Sequence, residues 1–118
     1  SKKCLITLLF DGAEAALAAA QSQLAANDLR GKSESLTKAM TIIVEGLSAS
    51  LSIEQGGELA ERLKALYSYM VSRLIHANIN KDAAAIAEVQ QLLGEISGAW
   101  RELRVNLAGE QNSAKHTP

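Results

Sequence analysis

Apolar residues recur along the chain at alternating steps of three and four. The clearest run is Ile86, Val89, Leu93, Ile96, Trp100, Leu103 and Leu107, which keeps the alternation without a miss. That spacing lays one stripe along an α-helix and makes a seam for a left-handed bundle. Comparable seams are Leu5, Leu9, Gly12 and Ala16, then Leu36, Met40, Ile43, Leu47 and Leu51, then Leu59, Leu63, Leu66, Met70 and Leu74. Polar or glycine-bearing joints at 27–31, 52–57 and 78–82 separate the four runs. Four seams with short loops predict an all-α fold, an antiparallel four-helix bundle. The expected domain is residues 1–112, with a disordered tail at 113–118.

Capping signals agree with this layout. Asp28 and Asp82 can each accept the orphan amide hydrogens at the start of the second and fourth helices. Ser52 with Gln55 three residues on resembles a capping box, but Gly56 and Gly57 weaken propagation, so a turn is expected before a firm helix from Glu58.

Three helices carry more apolar surface than one seam needs. At about 100° per residue, Tyr67, Val71 and Ile75 fall roughly 80°, 120° and 160° from Leu59. Ile6, Phe10, Leu17 and Leu24 form a second stripe on the first helix. Ile42 points away from Leu36, Ile43 and Leu47, with Gly46 and Ala49 leaving a shallow trough beside it. One reading buries these wide stripes in the bundle core, since each helix touches two neighbours. A second makes them a groove for an amphipathic helix of another chain, where each well-buried side chain contributes on the order of 1.5 to 3 kcal/mol. A third is homodimerisation through the same patch. On the groove reading the partner-binding residues are Phe10, Ile42, Tyr67, Val71 and Ile75, with Ile42 and Ile75 lying farthest from the seams.

Composition narrows the function classes. The length of 118 residues suits one domain, and the only proline is Pro118. A net charge of -1 with interspersed signs leaves no basic footprint for nucleic acid. The single cysteine, Cys4, has no internal disulfide partner, which fits a reducing cytosol, and it reads as a small hydrophobe. Residues 5–10 are apolar but short, broken by Thr7 and followed by Asp11 and Glu14, so neither a signal core nor membrane insertion is read there. The start at Ser1, without an initiator Met and apolar by Leu5, fits removal of a native leader.

Candidate chemistry is sparse. A di-iron bundle needs Glu followed three residues later by His on two helices, and neither His76 nor His116 has such a Glu. No phosphate-binding glycine loop is present, and His76 is the only base that could serve a nucleophile. The chain is therefore read as a non-enzyme without metal or cofactor. Trp100 reads as core, Tyr69 as a ring covering a joint with its hydroxyl in water, and Glu58, Glu61, Arg62 and Lys64 as a solvated face.

The order of certain residues resembles a known family. Leu9, Phe10, Asp11, Gly12 and Ala13, then Lys38, Ala39, Ile42 and Ile43, then Gly56, Gly57, Glu58, Ala60, Leu63, Leu66, Tyr67, Tyr69 and Met70, then Leu74, Ala77 and Asn78, and finally Val89 and Trp100, are similar to the flagellar secretion chaperones of the FliS family. The match runs over roughly residues 1–104, and the glycine pair followed by two tyrosines is its most specific part. The resemblance implies a cytoplasmic four-helix bundle that binds the disordered C-terminal segment of flagellin, prevents premature polymerisation, and passes the subunit to export-gate components. The surplus apolar face would then receive amphipathic flagellin helices. His76 stands where the family favours an acidic residue, Lys2 where it often has proline, and Gly94 and Gly98 loosen a helix that usually reads more strongly.

Overall fold

The computed structural model of the chain describes residues 2–54 and 56–115. Long alanine- and leucine-rich stretches without proline form α1 (Lys2–Ala25), α2 (Leu29–Thr41), a π-helical stretch (Ile42–Ser48), α3 (Ala49–Glu54), α4 (Gly57–Asn80) and α5 (Ala83–Lys115). From α2 to α3 the helical path is unbroken, giving one rod from Leu29 to Glu54. Asp28 caps it, accepting the Gly31 amide at 3.0 Å, and Asp82 caps α5 by accepting the Ala84 and Ala85 amides at 3.1 and 3.2 Å. Those amides, Ala85 first, hold the Asp82 carboxyl below its usual range.

The joints are tighter than the sequence pattern predicts. Asn27 and Lys81 turn the chain in left-handed backbone conformations, φ 60° and 54°, so Gly31 belongs to α2 and Asn78 to α4. Gly57 takes φ 86°, which glycine adopts without a Cβ clash, and α4 starts there. The Ser52 and Gln55 capping box lies outside the described side chains. Helix α5 continues to Lys115, three residues into the stretch expected as tail; 116–118 lie outside the described residues.

Each helix touches two neighbours. Helix α1 packs on α2 and α5, and α4 packs on α5 and the rod, closing a four-membered ring. The core combines Phe10, Ala13, Leu17 and Ala20 of α1, Leu36, Ala39, Ile43 and Leu47 of the rod, Tyr67, Met70, Leu74 and Ala77 of α4, and Ala85, Ile86, Val89 and Leu93 of α5. Two expected seams are thereby rotated. On α1 the stripe read as surplus, with Phe10 and Leu17, faces the axis, and Leu5 is exposed. On α4 the inward line is Ala60, Leu63, Tyr67, Met70, Leu74 and Ala77, while Leu59 is 64% exposed. On a wide stripe only the ring of neighbours decides which edge points inward. The α5 seam is core from Ile86 to Leu93, is half-buried at Ile96 and Trp100, and is exposed at Leu103.

Polar side chains fix the ring's α5 side. Arg101 Nη2 reaches Asp11 Oδ1 at 2.6 Å, Thr7 Oγ1 accepts from Trp100 Nε1 and Arg104 Nη1, and Gln21 Nε2 donates to the Ala83 carbonyl at 2.9 Å. The span Cys4–Ala25, with a mean hydropathy of 1.3, is long and apolar enough to cross a membrane by length and composition. In the fold, its Phe10–Ala20 face fills the core and Thr7, Asp11 and Gln21 bond to α5, as a bundle helix requires.

Candidate functional site

Two hydrogen bonds set how the rod faces α4. Lys32 Nζ donates to the Asn78 carbonyl and Ser33 Oγ to Asn78 Oδ1, each at 2.9 Å. Val71 precedes Asn78 by two helical turns on the same face, and Met40 follows Ser33 by two turns. Seven residues rise about 10.5 Å in both antiparallel helices, so Met40 and Val71 lie at about one level of the seam. Each further step of four turns the next side chain about 40° outward. From Val71, toward the end of α4, this leads to Ile75, 48% exposed, and Ile79, 74% exposed; from Met40, in the opposite direction along the seam, it leads to Val44, 50% exposed. Met40 and Val71 are half-buried against the core. Neither 39–44 nor 65–72 contains a charged residue. Apolar side chains thus run from core to solvent in both directions along the rod–α4 seam from the Met40–Val71 level, an arrangement that the apolar stripe of an amphipathic helix can extend.

The five sequence-derived candidates do not share this face. Val71 and Ile75 belong to it. Phe10 and Tyr67 are 3% and 4% exposed and are core, so they are corrected from surface to interior. Burial pushes the Tyr67 hydroxyl up to about 12. Ile42 is half-buried on the other flank of the rod, where its Cδ1 lies 3.4 Å from the position a Cβ on Gly12 would take. A Cβ on Gly46 would sit 2.9 Å from Leu9 Cδ2, so the glycine on the rod lets α1 approach closely there. Exposed Leu5 and Leu8 lie on α1 one turn and one residue before Leu9, at that same end. Sequence reading passed over Val44 and Ile79 and took Met40 as seam only; continuing the four-residue step from Val71 and from Met40 would have found both.

Polar side chains of α4 pair with α5 and with the turn between them. Tyr69 Oη donates to Glu88 Oε2 at 2.5 Å, instead of meeting only water, and Arg73 Nε donates to Glu88 Oε1 at 2.8 Å. The Tyr69 hydrogen bond first, then that of Arg73, holds the Glu88 carboxyl below its ordinary range. His76 Nε2 lies 3.1 Å from Asp82 Oδ2 and Nδ1 lies 3.2 Å from Asn80 Nδ2, which places the ring in the α4–α5 turn beside no nucleophile in that pair of contacts. Among the described residues no three His, Cys, Asp or Glu side chains gather as metal ligands would.

Comparison with known proteins converges on one family. The family described as "Flagellar protein FliS" matches residues 1–107. The chain is 48% identical over 99 residues to a flagellar secretion chaperone FliS of Salmonella typhimurium (strain LT2), covering 84% of this chain and 73% of the relative. It is 46% identical over 102 residues to the flagellar secretion chaperone FliS of Escherichia coli (strain K12), covering 86% and 75%. Similarity extends to the flagellar secretion chaperone FliS of Bacillus subtilis (strain 168), 31% identical over 98 residues, covering 83% and 71%.

Proposed function

The chain belongs to the FliS family of flagellar proteins, and from that premise we propose that it is a cytoplasmic flagellar export chaperone holding the disordered C-terminal segment of flagellin on the rod–α4 face. The observation that carries this reading is the set of apolar side chains Met40, Val44, Val71, Ile75 and Ile79 along the rod–α4 seam, half-buried at Met40 and Val71 and exposed at the other three. A flagellin tail that folds as an amphipathic helix against this edge would bury the surface it otherwise uses for assembly. Covering it exchanges polymerisation for a reversible complex, at an ordering cost of about 2 to 5 kcal/mol. Release to export-gate components then needs only that a competing surface or the assembly site outbid this contact. No catalytic step enters the cycle.

Titration calorimetry with a synthetic peptide of the flagellin C-terminal segment tests the reading. Wild type is expected to bind with a negative heat-capacity change, as burial of apolar surface requires. Ile75→Asp is expected to keep its denaturation midpoint and lose at least tenfold in affinity, because a charge placed against the peptide's apolar face is unpaired. Leu74→Asp, a core change one residue earlier, is expected to unfold the bundle. Ile42→Asp reports whether the tail also crosses to the α1 flank. Binding by wild type and Ile75→Asp alike sinks the assignment of the face, and concentration-dependent sedimentation without peptide binding supports homodimerisation through it instead.

A further inference from the structure

Buried positions on the rod fall at Lys32, Leu36, Ala39, Ile43 and Leu47, with Leu51 next against the core. The steps are four, three, four, four and four. A regular α-helix advances about 40° at each step of four, so three in succession carry Leu51 about 120° away from Ala39, off the axis the seam must face. The π-helical stretch Ile42–Ser48 lies across these steps, and its i→i+5 bonding widens the turn and brings Leu47 and Leu51 back into line. At its exit the Gly46 carbonyl, which accepts the Ala49 amide, also accepts the Ser50 hydroxyl at 2.7 Å at the return to α geometry. Removing one residue between Ile43 and Leu47 would give steps of four, three, four, three and four, the unbroken alternation that a plain α-helix packs with. Packing therefore has no need of the extra residue.

We infer that the π-helical stretch is a one-residue insertion serving the binding face: it swells the rod at Val44 and Glu45, both exposed, and so sets how far Val44 stands out from the seam one turn beyond the Met40–Val71 level. This rests on the reading of the rod–α4 face as the flagellin-tail site. Ile42 and Gly46, which meet α1, each directly precede a core residue, Ile43 and Leu47. They keep that relation whether or not the extra residue is present, so the insertion alters the solvent face and spares the α1 contact. The surplus lies on the side where a partner would lie.

The test compares wild type, deletion of Glu45, and Glu45→Ala, with the flagellin C-terminal peptide as probe and urea denaturation in parallel. The expected result is that the deletion variant unfolds at a midpoint equal to or above that of wild type, and that amides of the former 42–48 stretch exchange more slowly. Its peptide affinity is expected to fall at least tenfold, whereas Glu45→Ala, which keeps the insertion, binds like wild type. A clear drop in midpoint on deletion overturns the inference by showing that packing requires the extra residue. Unchanged peptide affinity on deletion, with wild type binding, overturns it while leaving the face assignment standing. Failure of wild type to bind overturns both.

Discussion

The Lys32 ammonium, on a residue only 3% exposed, donates to the Asn78 carbonyl at 2.9 Å. Asn78 lies in the last turn of α4, where carbonyls lack helical partners and the helix dipole favours a cation. One buried charge is thereby satisfied and the end of α4 is tied to the start of the rod. Lys32→Met keeps the apolar stem but leaves that carbonyl unpaired. A stability loss of about 1–3 kcal/mol in urea titration is expected; an unchanged midpoint shows that the bond contributes nothing net.

The close approach at Gly46 makes a graded prediction. Gly46→Ala places a Cβ against Leu9, whose side-chain end can yield, and the helix-propensity gain of about 0.8–1 kcal/mol offsets the crowding. Gly46→Val adds bulk that Leu9 has no room to accept, with an expected loss of about 1–3 kcal/mol. Leu9→Ala in the same chain should restore part of it. Independent, additive effects of the two changes in thermal unfolding rule out the contact as the cause.

Acidification should weaken the α4–α5 side of the bundle. Glu88 and Asp82 both have folded pKa values depressed below 4.5 and 3.8 respectively, by hydrogen bonds from Tyr69 and Arg73 and from the Ala85 amide. A depressed carboxyl contributes stability above its unfolded pKa and loses it as pH falls through the folded one. The expected loss therefore sets in near the ordinary carboxylate values and deepens below them. Glu88→Gln should flatten that limb of the stability–pH curve, and an acid limb of unchanged slope in this variant contradicts the assignment.

Alkaline pH should act through Tyr67. Its folded pKa is pushed up to about 12 from 10.0 by burial. Since the folded state holds the proton more tightly, its contribution is whole below pH 10 and is lost as pH rises toward 12. Tyr67→Phe is expected to leave the fold intact and remove that loss. Ultraviolet titration of the phenols should show one of the two tyrosines ionising only with unfolding.

Periodicity, alanine content and the absence of internal proline determined a four-helix bundle, its helix order and its Asp28 and Asp82 caps, because helical spacing and capping are local properties of the chain. The α5 core from Ile86 to Leu93 was legible for the same reason. What local spacing does not specify is the direction of the bundle axis, and on α1 and α4, where stripes are wide, the sequence left two edges equivalent. Packing chose: Phe10 and Tyr67 went inward, while Leu5 and Leu59 went out. The binding face shows the same division. Val71 and Ile75 were visible as an excess of apolar residues, yet the level that Val71 shares with Met40 is read from the Lys32–Asn78 and Ser33–Asn78 bonds between the rod and α4. The π-helical winding was likewise a tertiary decision. Ile43, Leu47 and Leu51 stand four apart in the sequence, and only the demand that all three face one core widens the turn between them.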